Sequence, residues 1–138
     1  MAIVQLHLIL VSFWFGLWAS ETVLELCGRD AASRHIVALV HGWIDLVFEG
    51  PVTVAVLVTG ALLLARAWPA PPLLLVHAGL GMVPVIANLV CMMWVQQRRK
   101  ETDDERARAL TSKVKLSGLA IPVAIVAMVM GLGFMSAG

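Results

Sequence analysis

The chain has no tyrosine, only two cysteines and few charged residues, and each shortage excludes something. Cys27 and Cys91 form neither a CxxC pair nor a zinc-type spacing, which rules out a disulfide scaffold and a zinc finger; both read as buried or interfacial thiols. Charged residues make up 14% of the 138, and the formal net charge is +1. No basic face or binding motif accompanies that charge, so nucleic acid is not an expected partner. Beyond the apolar runs, no internal repeat and no low-complexity tract stands out.

What is abundant is apolar. Hydrophobic residues reach 60% and the mean hydropathy is +0.90, whereas an ordinary soluble domain has about 45–50%. A membrane-spanning helix needs about 20 mostly apolar residues, and four stretches qualify, at roughly 3–26, 36–65, 73–97 and 114–136. They predict an all-α fold, a four-helix transmembrane bundle forming one integral membrane domain over 1–138, with the lipid bilayer around it. The first stretch lacks a basic leading region and a small-residue cleavage site, so it reads as a mature helix.

The connectors give an orientation. Cys27-Gly28 ends the first helix and "GRDAASR" forms a short turn; Gly50-Pro51 is expected to bend the second helix. "RAWPAPP" is a short connection whose Trp68 suits a membrane interface, and "QQRRKETDDERARALTSKVK" reads as a solvated connector. Arginine and lysine concentrate in the first and third connectors. The positive-inside rule then places loops 27–35 and 98–113 in the cytoplasm and both termini outside, in a bacterial inner membrane. Trp18 and Trp94 fit an aromatic belt, and Gly131 and Gly133 fit close helix approach.

Ionisable side chains at membrane depth are costly and tend to mark function. At about 100° per residue, His7, Trp14, Trp18, Glu21 and Glu25 form one stripe on the first helix. His77, Gly81, Pro84, Asn88 and Cys91 share a face of the third helix, and His41, Asp45, Glu49 and Thr59 group more loosely on the second. With a rise of about 1.5 Å per residue, His7 and His77 fall at one level near the outer surface. Glu21, Glu49 and Asn88 fall at a deeper level, with Glu25, Asp45 and His41 beyond it.

Two imidazoles facing each other at equal depth are what bis-histidine ligation of haem b requires. Gly81 leaves room for a flat macrocycle beside His77, and Trp14 and Phe15 form a wall; ligation by one histidine, with Met82 or Met135 opposite, is the alternative. The inner group of Glu21, Glu25, His41, Asp45 and Glu49 admits three readings. It is a metal site for non-haem iron, manganese, copper or zinc, a proton path, or a set of ion pairs neutralised by Arg34, Lys113 or Lys115.

Placed in "LHLILVSFWFGLW", His7 gives the first helix a resemblance to HemJ-type membrane protoporphyrinogen oxidases and, more loosely, to CopD-like four-helix proteins. "EGPVTVAVLVTGALLL" and "LLLVHAGLG" extend the similarity to the second and third helices. The resemblance implies a four-helix fold and a haem-ligand role for His7. Gly79 stands where the HemJ type has a functional lysine, so protoporphyrinogen oxidation does not carry over, and His77 as second ligand comes from depth and phase alone. The resulting expectation is a small membrane haem b protein in electron transfer or membrane oxidoreduction, with the inner carboxylates handling protons. The alternatives are a metal- or proton-binding transporter component and an accessory subunit of a larger membrane complex; a redox partner and a homo-oligomer are compatible with each.

Overall fold

The computed structural model describes residues 2–136, with side chains through Phe134. It is all-helical among the described residues. Helix α1 spans Ala2–Cys27 and is stopped by Gly28. Helix α2, Ala31–Ile44, starts on a capping box in which the Asp30 side chain accepts from the Ser33 backbone N–H while the Ser33 hydroxyl answers the Asp30 N–H. A π-helical turn, Asp45–Glu49, then leads without a break into α3, Gly50–Arg66. Helix α4, Pro72–Lys100, has a proline at its first position, and α5, Asp104–Ser117, is capped by Asp103. A 3₁₀ turn, Gly118–Ala120, joins α5 to α6, Ile121–Ser136.

Four continuous helical stretches are therefore long and apolar enough to cross a membrane: Ala2–Cys27, Ala31–Arg66, Pro72–Lys100 and Asp104–Phe134. Their outward faces carry Ile9, Val23, Ile36, Val54 and Leu119, all exposed and apolar, as contact with lipid requires.

Several expectations need correction. The second helix starts at Ala31 rather than near 36, the third continues to Lys100, and the fourth begins at Asp104. The charged stretch read as a solvated connector is thus helical except at residues 101–103. The disturbance at Gly50-Pro51 takes the form of the π turn, in which the Gly50 N–H reaches back five residues to the Asp45 carbonyl. Trp18 is no belt residue: it is buried and stacked on Trp14, with ring centroids 5.9 Å apart.

The second half of the chain also repeats the layout of the first, which the sequence did not suggest. Ala2 opens α1 and Pro72 opens α4, and His7 and His77 follow at the same remove. Asp30 and Asp103 cap the next helices, a non-α turn interrupts each, and Pro51 and Pro122 follow that turn. Each histidine ring rests against a glycine of the last helix in its half. A Cβ on Gly60 would stand 3.2 Å from His7 Cε1, and one on Gly131 would stand 3.1 Å from His77 Cε1. Gly131 therefore admits an imidazole rather than a neighbouring backbone. Helix α1 packs on α3 and α4 on α6, while α2 packs on α4 to join the halves.

Between the helices lie two apolar clusters. Trp14, Val56 and Val85 pack with Leu10, Val11, Val52 and Leu57, and Cys91, Val95 and Val114 pack with Trp94. The buried polar residues sit beside these clusters.

Candidate functional site: an outer histidine cavity above a buried carboxyl cluster

The four residues of α1 that the fold buries are Trp14, Trp18, Glu21 and Glu25, all on the stripe that helical phase defines. Helix α4 buries Pro84, Asn88 and Cys91 on the predicted face and adds Val85, Val95 and Arg98. The second span buries His41, Asp45, Glu49 and Thr59, together with Thr53. Two sites result.

The outer site is a cavity of about 430 Å³, lined by His7, Trp14, Phe15, His77, Gly81 and Met82 among others. His7 and His77 thus line one space. Each ring is fixed through Nδ1. The Thr59 hydroxyl donates to the Ala55 carbonyl at 2.8 Å, so it accepts from His7 Nδ1–H at 2.7 Å. His77 Nδ1–H donates to the Ala127 carbonyl at 2.9 Å. In their neutral form both imidazoles therefore carry the proton on Nδ1 and present Nε2 as the lone pair. A Cβ added at Gly79 or Gly81 would meet nothing within 4 Å, so this wall is open. Met135 lies outside the described side chains, while Met82 lines the cavity.

The inner site holds four carboxyl groups, all nearly inaccessible: Asp45 is 0% exposed, Glu49 1%, Glu21 2% and Glu25 4%. Removing ions from water costs several kcal/mol each, so each needs a partner. Glu25 has two. Arg98, itself buried, grips both of its oxygens, at 2.8 Å through one nitrogen and at 2.5 Å through the other, and also donates to Thr111 at 3.2 Å. His41 Nδ1 meets Glu25 Oε1 at 2.6 Å. The expected neutralising cations do not fill this role: Arg34 pairs instead with Asp104 at 2.7 Å, and Glu25 takes Arg98.

Glu49 is served by Asn88. With its amide nitrogen turned toward Glu49, Asn88 donates to Oε2 at 3.0 Å, and its oxygen accepts from Trp14 Nε1 at 3.0 Å and from the Thr53 hydroxyl at 3.2 Å. Trp14 therefore forms a wall of the outer cavity and is hydrogen-bonded into the inner cluster, linking the two sites. Glu21 and Asp45 accept from no N–H, amide or hydroxyl donor, their hydrogen-bonding neighbour being the Glu49 carboxyl, and His41 Nε2 has no partner. These three groups converge: His41 Nε2 stands 3.6 Å from Glu21 Oε2 and 3.6 Å from Asp45 Oδ1.

The structure thus brings His7, His77, Gly81 and Trp14 to one cavity and Glu21, His41, Asp45 and Glu49 to another place, with Glu25 one step behind His41. Sequence reasoning missed Arg98 and Thr111. Arg98 follows Cys91 by seven residues, so it continues the α4 stripe once the helix is extended past Val95.

Comparison of the chain with family models, curated proteins and solved structures finds no match.

Proposed function

We propose that this chain is a small integral membrane haem b protein acting in electron transfer or membrane oxidoreduction. The carrying observation is the pair His7 and His77, which line one cavity with Nδ1 occupied and Nε2 free. Ligating histidines characteristically donate their other ring N–H to a hydroxyl, carbonyl or carboxylate, which fixes the tautomer and aims the lone pair. Both rings meet that condition on equivalent positions of the two halves. The cavity volume of about 430 Å³ falls in the range of roughly 300–1,000 Å³ usual for cofactor pockets. The first-helix resemblance to HemJ-type proteins implies the same role for His7.

His7 and His77 would hold the iron, Thr59 and Ala127 would keep the rings oriented, and Trp14 and Phe15 would flank the macrocycle. Haem would supply one-electron chemistry there when bound. In a bacterial inner membrane, the connectors flanked by Arg29, Arg34, Arg98, Arg99 and Lys100 face the cytoplasm and both termini face outward. The haem cavity then lies toward the outer surface and the carboxyl cluster toward the cytoplasm.

Purified, dithionite-reduced protein should show haem b absorption bands; a preparation with neither those bands nor bound iron sinks the proposal. His77→Ala and His7→Ala should each abolish or alter the spectrum. An unchanged spectrum in His77→Ala removes that residue from the ligand role and leaves a one-sided arrangement with Met82 opposite. Thr59→Val keeps the ring but deletes its acceptor, and should weaken haem retention without abolishing it.

A further inference from the structure

The inner cluster carries an inference independent of the haem proposal. We infer that Glu21, His41 and Asp45, with Glu49 beside them, form a binding site for one divalent first-row transition cation.

His41 is 2% exposed and its Nε2 has no hydrogen-bond partner, while Glu21 and Asp45 receive no N–H or hydroxyl and meet only a further carboxyl group, that of Glu49. Among the described residues, no arginine or lysine pairs with Glu21, Asp45 or Glu49, since Arg98 is committed to Glu25 and Arg34 to Asp104. A protonated His41 is a poor substitute, because 3.6 Å from Nε2 to each carboxylate oxygen exceeds hydrogen-bond range. That separation does match a metal polyhedron. Bonds of about 2.0–2.2 Å arranged tetrahedrally put neighbouring ligand atoms about 3.3–3.6 Å apart. One ligand atom from each of the three side chains lies within 4.8 Å of the others.

The far side of the ring supports the same conclusion. His41 Nδ1 is bound at 2.6 Å to Glu25, and Glu25 is anchored by Arg98. A carboxylate behind a ligating imidazole orients Nε2 and raises its basicity. Glu25 is thus a positioning residue, not a ligand. The three ligands come from α1, α2 and the π turn, and π turns recur at functional sites because the wider turn re-aims its side chains. One imidazole with carboxylates selects iron(II), manganese(II), cobalt(II) or zinc(II) over calcium or magnesium.

The test uses the full chain in detergent or nanodiscs, stripped with chelator and then titrated with cobalt(II), followed by visible absorption and elemental analysis. One equivalent of cobalt per chain is expected, and zinc(II) should displace it. His41→Ala, Glu21→Gln and Asp45→Asn should each lower affinity at least tenfold. Glu25→Gln, which leaves every ligand in place, should lower it about 10- to 100-fold. The wild-type titration decides the matter even if a variant misfolds: no stoichiometric cobalt overturns the inference and leaves the carboxyls as proton carriers. Undiminished binding in folded His41→Ala also overturns it, as does loss of the bound cobalt in His7→Ala/His77→Ala, which would locate the cation in the outer cavity. Retention of cobalt in that double variant, with haem lost, separates this site from the haem proposal.

Discussion

Arg98 shows how much one side chain decides. Its guanidinium is the sole arginine or lysine partner of Glu25 among the described residues, and Glu25 in turn holds His41. Deleting one member of a buried ion pair strands the other and costs about 3–5 kcal/mol. Arg98→Met should therefore lower unfolding stability in detergent by about that amount, and Arg98→Met/Glu25→Gln should recover most of it. Equal losses in the single and double variants would locate the stabilisation elsewhere, for instance in the contact with Thr111. At the other site the sensitive position is Gly131. A Cβ there would lie 3.1 Å from His77 Cε1, so Gly131→Ala must push the ring aside by a few tenths of an ångström. The expected readout is a shifted haem spectrum with reduced haem content, against no change for Gly16→Ala, where an added Cβ meets nothing within 4 Å. Identical spectra for both variants would mean that the ring does not hold the iron.

Among the elements, the π turn Asp45–Glu49 governs the inner site. A π turn is an α-helix with one residue too many, so deleting the exposed Val47 should restore regular winding while α2 and α3 keep their phases. Cobalt binding should then be lost with helical content and haem spectrum preserved; retained cobalt binding would show that the turn does not aim Asp45. The capping box of α2 makes a pH-dependent contribution. The Ser33 backbone N–H and hydroxyl hold Asp30 below its usual carboxylate range, so its stabilisation is present above the unfolded-state pKa and fades as pH falls through the depressed folded value. Asp30→Ala should accelerate amide exchange over Ala31–Arg34 near neutrality, with the difference from wild type vanishing in acid; a difference that persists there would exclude the carboxylate as its source. The helices differ in how far the sequence disclosed them. Apolar length and the 100° stripe located four spans and the buried faces of α1 and α4, because burial in a bundle selects residues by phase. Neither signal marks where a helix runs on into charged sequence. Arg98 and the first turns of α5 therefore read as solvated connector, and the π turn left no compositional trace beyond Pro51.

Across the whole molecule, the two halves share a scaffold but not a polarity. His7 and His77 occupy equivalent places, as do Gly60 and Gly131, which makes the outer cavity pseudo-symmetric. The inner cluster breaks that symmetry: where α1 carries Glu21 and Glu25, α4 carries Cys91 and Val95 at the corresponding positions. The repeat escaped the sequence because it resides in element boundaries and a few glycine and proline positions, while the side chains between have diverged. The inner carboxyls and His41 therefore belong to the first half, with Asn88 and Arg98 contributed by the second. The same layout makes orientation measurable. Cys27 is exposed at the end of α1 nearest the carboxyl cluster, whereas Cys91 is buried, so a Cys91→Ala chain carries one accessible thiol at a known level. If the basic connectors face the cytoplasm, a membrane-impermeant maleimide should label Cys27 in inverted inner-membrane vesicles and not in intact spheroplasts. Labelling confined to spheroplasts would reverse the orientation, placing the histidine cavity on the cytoplasmic side and the carboxyl cluster outside.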